Sequence, residues 1–216
     1  MTKDEITIHI DTLIKESTFH FDIYDFDEAE KLIQEAISLS KENGLIEKQA
    51  EALGELGYFH VKEIGNIDLA RACYYQCIDL LKSINGDAEW IAAYYYRLGN
   101  THYFSAPDKV IELYGAALSH FSFANSHITQ SRIHQGLGVA HEVLGNLELA
   151  RDHYLKALDI EMTANPEQKT ELIWSGILDN LKTIFFKLGE ESRSLAFKER
   201  GEKARQDFNK GLHKSS

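Results

Sequence analysis

The sequence predicts an all-α protein. Only two prolines, Pro107 and Pro166, stand in 216 residues. A β-sandwich or barrel of that length needs many more turn breakers. A skeleton of Leu, Gly, Ala and aromatic residues also returns at intervals of 40 to 44 residues. With 44% apolar and 26% charged side chains, the chain has the composition of an ordinary globular protein with enough apolar residues for a core, expected as one domain over 1–216.

The clearest copy of the skeleton is His134-Gln135-Gly136-Leu137-Gly138-Val139-Ala140-His141, followed by Leu144-Gly145-Asn146 and by Ala150, Tyr154 and Ala157. It recurs as Leu56-Gly57 with His60, Ile64-Gly65-Asn66, Ala70, Tyr74 and Cys77. A third copy has Leu98-Gly99 with His102, Val110, Tyr114 and Ala117. Weaker copies flank these: Ala29, Ile33 and Ala36 near the start, and Leu181, Phe185, Leu188-Gly189 and Ser194 near the end. Terminal repeats are expected to be atypical because they cap a stack. The small residues of the second helices, Ala29, Ala70, Val110, Ala150 and Ser194, lie 41, 40, 40 and 44 residues apart.

This skeleton resembles the tetratricopeptide repeat, W-x2-L-G-x2-Y…A-x3-F, over nearly the whole chain. His134 and His141 stand in place of the Trp and the Tyr, and the period exceeds the usual 34. The longer unit is similar to those of bacterial peptide-responsive regulators, kinesin light chains and polarity adaptors. The resemblance implies a right-handed α-superhelical solenoid of about five antiparallel helix pairs. Leu and Gly on the first helix and Ala on the second let the two approach, and the aromatic that follows fills the space beside them.

The punctuation assigns the helices in order: 4–23 and 26–42, 45–64 and 67–83, 87–104 and 107–122, 126–144 and 147–162, 166–188 and 191–210. The units are therefore 4–42, 45–83, 87–122, 126–162 and 166–210. Asn43-Gly44, Asn85-Gly86 and Gly145-Asn146 supply residues able to end helices in left-handed backbone, and Pro107 and Pro166 suit first turns. Residues 207–216 are polar and are expected as a fraying end of the last helix.

Twenty-three basic against thirty-four acidic residues give a net charge of −11, which would be repelled by nucleic acid and by anionic membranes. The acidic amino terminus leads into no apolar run, and the longest apolar stretch, 91–96, is six residues where a membrane span needs about 20. A cytoplasmic location is the expectation. Cys73 and Cys77, four apart on one helix, are expected as reduced core residues.

No phosphate-cradling loop, nucleophile elbow or paired-cysteine metal motif is present, so no enzyme, cofactor or metal site is expected. Ten histidines are the compositional oddity, and His60, His102 and His141 share one slot in successive repeats. Helices in successive pairs lie about 10 Å apart, too far for one metal ion, so packed and hydrogen-bonded rings are expected, with a pH-sensitive core as the alternative. His134 and His141 are placed to approach His127 or His153, with Glu142 nearby.

The face of each first helix not consumed by Leu and Gly is the candidate binding surface. Helical spacing places Ala93, Tyr96, Asn100 and Tyr103 on it with Arg97 and Phe104 beside them, then Glu51, Tyr58, Val61 and Lys62 on one side. On the other side come Arg132, Gln135, Val139 and Glu142, followed by Asp179, Thr183, Phe186 and Lys187. Lys15 and Phe19 extend the stripe at the start. This aromatic lining of mixed charge suits a protein or peptide ligand, extended or helical, held in a concave groove. The carboxylate clamp of chaperone-binding relatives is matched only by Arg97, since Glu55 stands where Asn is required. The expected function is a non-catalytic interaction module, a monomer or weak homodimer; the alternatives are a peptide-responsive sensor and a self-associating structural subunit.

Overall fold

The computed structural model describes residues 1–121, 127–163 and 171–212, all-α with no strand among them. The chain falls into two compact units, Met1–His102 and Tyr103–Ser216. The first holds α1 (Lys3–Asp22), α2 (Phe26–Glu42), α3 (Ile46–Phe59), α4 (Ile67–Ser83) and α5 (Ala88–Asn100), with a π turn at His60–Ile64. The second holds α6 (Pro107–His120), α7 (His127–Val143), α8 (Leu147–Thr163), α9 (Glu171–Lys187) and α10 (Glu191–Leu212). The division falls inside the expected unit 87–122, leaving α5 in the first unit and α6 in the second.

Local chemistry starts and stops these helices where the sequence indicates. Thr2 and Glu5 form a reciprocal capping box on α1, Asn66 and Asp87 cap α4 and α5, and Pro107 opens α6. Asn85 and Gly145 take left-handed backbone, with φ of 49° and 79°, at two of the expected chain reversals. Pro166 and the expected helix ends at 122, 126 and 166 lie outside the described residues.

Two first helices end earlier than periodicity alone suggests. α3 stops at Phe59 and continues as the π turn, because five residues separate His60 from Gly65 where four separate His141 from Gly145. The extra residue widens the last turn, and the Asn66 amide reaches back to the His60 carbonyl at 3.0 Å. α5 stops at Asn100, where Arg71 of α4 caps its carboxyl end: Nη2 donates to the Thr101 carbonyl at 2.7 Å and Nε to its hydroxyl at 3.1 Å.

Glycine and tyrosine set the packing distance between helices. A Cβ added at Gly57 would lie 2.8 Å from the Tyr74 ring, and one at Gly138 would lie 2.4 Å from the Tyr154 ring. In both cases the aromatic of the second helix fills the space left by the glycine of the first, as the repeat pattern requires. Between successive pairs, Tyr94 of α5 lies over Gly54 of α3, and Tyr114 of α6 over Gly136 of α7. Buried serines tie partners together: Ser17 Oγ donates to the Ala29 carbonyl at 2.7 Å, and Ser194 Oγ to the Lys182 carbonyl at 2.8 Å. The Ala50 carbonyl accepts from Tyr94 Oη at 3.0 Å and from Cys77 Sγ at 3.1 Å. Each buried polar atom named here has its partner, which removes the desolvation cost of burying it.

Candidate functional site

In the first unit α3, the π turn and α5 bring two of the expected residues, Lys62 and Arg97, to the ring of a third, Tyr58. Tyr58 is 37% exposed, and the Phe21 ring supports it at 6.0 Å. Phe21 is itself stacked on Phe59 at 4.2 Å. The Arg97 guanidinium lies 5.9 Å from the Tyr58 ring and 6.0 Å from that of Tyr94, within the range of cation–π attraction. Arg97 Nη1 donates to the Gly54 carbonyl at 3.4 Å and meets Glu55 at 3.7 Å. Lys62, on the π turn rather than on a regular helix, brings its ammonium 5.8 Å from the same Tyr58 ring.

Tyr96 is half-buried and Asn100 exposed on α5, each with interactions of its own. Glu51 shares Lys48 with Asp11, at 2.9 and 2.6 Å.

The second unit uses its expected residues differently. Val139 packs on the core formed by α8 and α9, Gln135 approaches Gly176 of α9, and Arg132 is exposed. Asp179 is engaged by Lys182 at 3.4 Å and by Arg205 of α10 at 2.9 Å. Phe186, 68% exposed, lines a shallow cleft of about 580 Å³ with Lys182, Thr183, Ser194, Leu195 and Lys198. Tyr103 does not continue the α5 stripe. It lies in the turn after that helix, at the start of the second unit, edge-on to a 98% exposed Phe104 at 5.1 Å. The expectation that Tyr103 continues the helical stripe of Ala93, Tyr96 and Asn100 is therefore corrected, because α5 ends at Asn100.

The histidines are also placed differently. His60 is buried and its Nδ1 has no hydrogen-bond partner, nor has the buried Nδ1 of His141, so the hydrogen-bonded packing expected of these rings is missing at that atom. His102 lies in a turn. His134 and His141 approach His153: His134 Nδ1 is 3.0 Å from His153 Nδ1, and the His141 and His153 rings stack at 5.3 Å. Among the described residues no three His, Cys, Asp or Glu side chains are grouped to hold a metal ion. Sequence reasoning missed Glu142 as a hub: it accepts from Tyr154 Oη at 2.8 Å and pairs with Lys187 Nζ of α9 at 2.7 Å. Its repeat position, one residue after His141, was the available signal.

Burial removes nucleophilic character from the thiols. It pushes Cys73 up to about 11 and Cys77 higher still, with the neighbouring Cys73 adding to the rise. The Tyr74 hydroxyl is pushed up to about 12, again by burial first, with Arg97 opposing the shift.

The tetratricopeptide repeat family model matches residues 50–80, which are most of α3, the π turn and most of α4. No curated protein matches the chain in sequence. Among solved structures, BtubC (BKLC) from P. vanneervenii is similar over 94% of this chain and 82% of its own, with 17% identity and a TM-score of 0.83. A kinesin light chain with TPR-like repeats from Podosopora anserina shares 10% identity at a TM-score of 0.70, covering 92% of this chain and 96% of its own. The quorum sensor NprR from B. thuringiensis, in its apo form, gives 17% identity and a TM-score of 0.66; the match covers 93% of this chain and 56% of the sensor. At these identities the likeness is one of fold, an α-helical repeat solenoid.

Proposed function

We propose that this chain, which is of tetratricopeptide-repeat type, works without catalysis in the cytoplasm as a module that captures a peptide or helix of a partner protein. The repeat fold itself supports protein–protein interaction; the peptide and the capturing surface belong to the proposal. The observation that carries it is the half-exposed Tyr58 ring, supported by Phe21 and approached by the cations of Lys62 and Arg97. A rigid ring next to an arginine is the combination that dominates binding energy in protein interfaces. Lys62 beside the ring, with Arg97 already shared with Glu55, favours a ligand that offers an apolar side chain next to a carboxylate. Among the described residues no helix is long and apolar enough to cross a membrane.

The test is binding of fluorescent acidic–aromatic peptides to the parent protein and to the double variant Tyr58→Ala, Arg97→Ala. The parent is expected to select a subset, and the folded variant to bind that subset at least about tenfold more weakly, the loss of a single anchor being worth more than 1.4 kcal/mol. A folded variant that keeps the parent's affinity would reject this surface.

A further inference from the structure

Within the second unit, the α7/α8 and α9/α10 pairs repeat one another at a spacing of 44 residues, set by Ala150 and Ser194. Phe185 and Phe197 stack across α9 and α10 with centroids 5.3 Å apart and planes 4° apart. Their equivalents 44 residues earlier, His141 and His153, stack across α7 and α8 at 5.3 Å and 8°. The third member of the site is the fully buried Leu178 in one pair and His134 in the other. Three imidazoles thus occupy register positions that the neighbouring pair fills with Leu and two Phe, and the two-ring stack has the same geometry in both.

The contact between His134 and His153 depends on proton count. Their Nδ1 atoms lie 3.0 Å apart, a distance that requires one nitrogen to donate and the other to accept. If both rings are protonated to the cation, both Nδ1 atoms carry a proton, the hydrogen bond is lost and two cations face each other. The charged neighbours do little to offset this. Lys156 on α8 adds positive charge and Asp152 on α8 supplies a counter-charge to His153, while Glu142 of α7 is already committed to Tyr154 and to Lys187 of α9. The His141 Nδ1, stacked above, is buried without a partner.

We infer that the α7/α8 pair is a proton-operated joint, closed by the His134–His153 hydrogen bond and the His141–His153 stack at neutral pH and loosened in mild acid, beside an α9/α10 pair whose Phe stack takes up no proton. Burial, then His153, then Lys156 hold His134 down to about 4, and burial followed by His141 lowers His153 against a small opposing pull from Asp152. A histidine freed by unfolding takes up its proton near the ordinary value of about 6.5. The unfolded chain therefore binds more protons between those values; stability is complete above about pH 6.5 and falls as the pH drops toward 4.

The experiment compares the parent with the triple variant His134→Leu, His141→Phe, His153→Phe, which copies the residues of the last pair. Melting temperature and backbone hydrogen exchange, corrected for intrinsic rates, are followed from pH 7 to pH 5. The parent is expected to lose about 5–10 °C and to lose protection in α7 and α8 before α9 and α10. The variant is expected to lose less than half as much. A folded variant with the full acid loss, or a parent whose α7 and α8 amides stay protected at pH 5, overturns the inference. Should the variant fail to fold, histidine ring NMR of the parent decides: His134 and His153 both titrating below the ordinary value of about 6.5 support the joint, and either of them titrating at that value refutes it.

Discussion

The two helix pairs of the second unit are close in register and opposite in how they use it. α7/α8 is tight where α9/α10 is open: Gly138 and Tyr154, in contact across the first pair, become Lys182 and Lys198, which line the cleft beside Phe186. Conversely α7/α8 is polar where α9/α10 is apolar, with His141 and His153 for Phe185 and Phe197, and Glu142 for Phe186. The repeat skeleton thus fixes where helices run, and the side chains at each register position are then chosen almost independently. Val139 and Glu142 face α9; the equivalent Thr183 and Phe186 form a cleft that opens to solvent.

The largest effect expected from this comparison is at the stacked rings. Phe185→Ala empties a buried aromatic site and should cost about 3–5 kcal/mol in denaturant unfolding. His141→Ala removes a ring that already carries an unpartnered buried nitrogen and should cost about 1–2 kcal/mol, the cavity being partly offset by relief of that nitrogen. Equal losses would show that the two stacks contribute alike, and the contrast would fail.

Next in size is the close approach. Gly138→Leu forces a side chain where a Cβ alone would meet the Tyr154 ring at 2.4 Å, and about 3 kcal/mol of overpacking is expected. Lys182→Leu at the equivalent register position should change stability by less than about 0.5 kcal/mol, since that site is half-exposed and bordered by a cleft. Thermal melts of the two variants side by side check both figures, and an unchanged Gly138→Leu would mean that the repeat register is misplaced.

Much of this is legible in the sequence. The Leu-Gly spacing located α3, α5 and α7, punctuation assigned the remaining first helices, and the small residues at Ala29, Ala70, Val110, Ala150 and Ser194 gave the register on which the two pairs are compared. What periodicity does not encode is contact between helices. It placed Tyr58 and Arg97 on neighbouring first helices without showing that the guanidinium crosses to the ring, and it ran Tyr103 along a helix that ends at Asn100, where Arg71 caps it. The extra residue before Gly65 was visible as a count; its absorption in a π turn rather than a loop follows from the buried His60 anchoring that last turn. The histidine stack was within reach too, since His141 and His153 stand 44 residues before two phenylalanines, yet ring orientation follows from side-chain packing that spacing does not describe.

The smallest expected effects sharpen the comparison at Glu142, whose counterpart Phe186 makes no ion pair. Glu142→Gln keeps the shape and an acceptor for Tyr154 Oη but removes the charge that serves both Tyr154 and Lys187, so a loss of about 1–2 kcal/mol is expected. Lys187→Ala removes only the outer half of that arrangement. Its side chain is 47% exposed, so the ion pair is weakened by solvent, and about 0.5 kcal/mol is expected, falling further in salt. A double-mutant cycle between the two separates their coupling from the Tyr154 hydrogen bond. Coupling near 0.5 kcal/mol that vanishes at high salt would place the stabilisation in the buried tyrosine–carboxylate bond inside the α7/α8 pair. Coupling several times larger and insensitive to salt would place it in the link from α7 to α9, making the contact between successive pairs stronger than the contact within one.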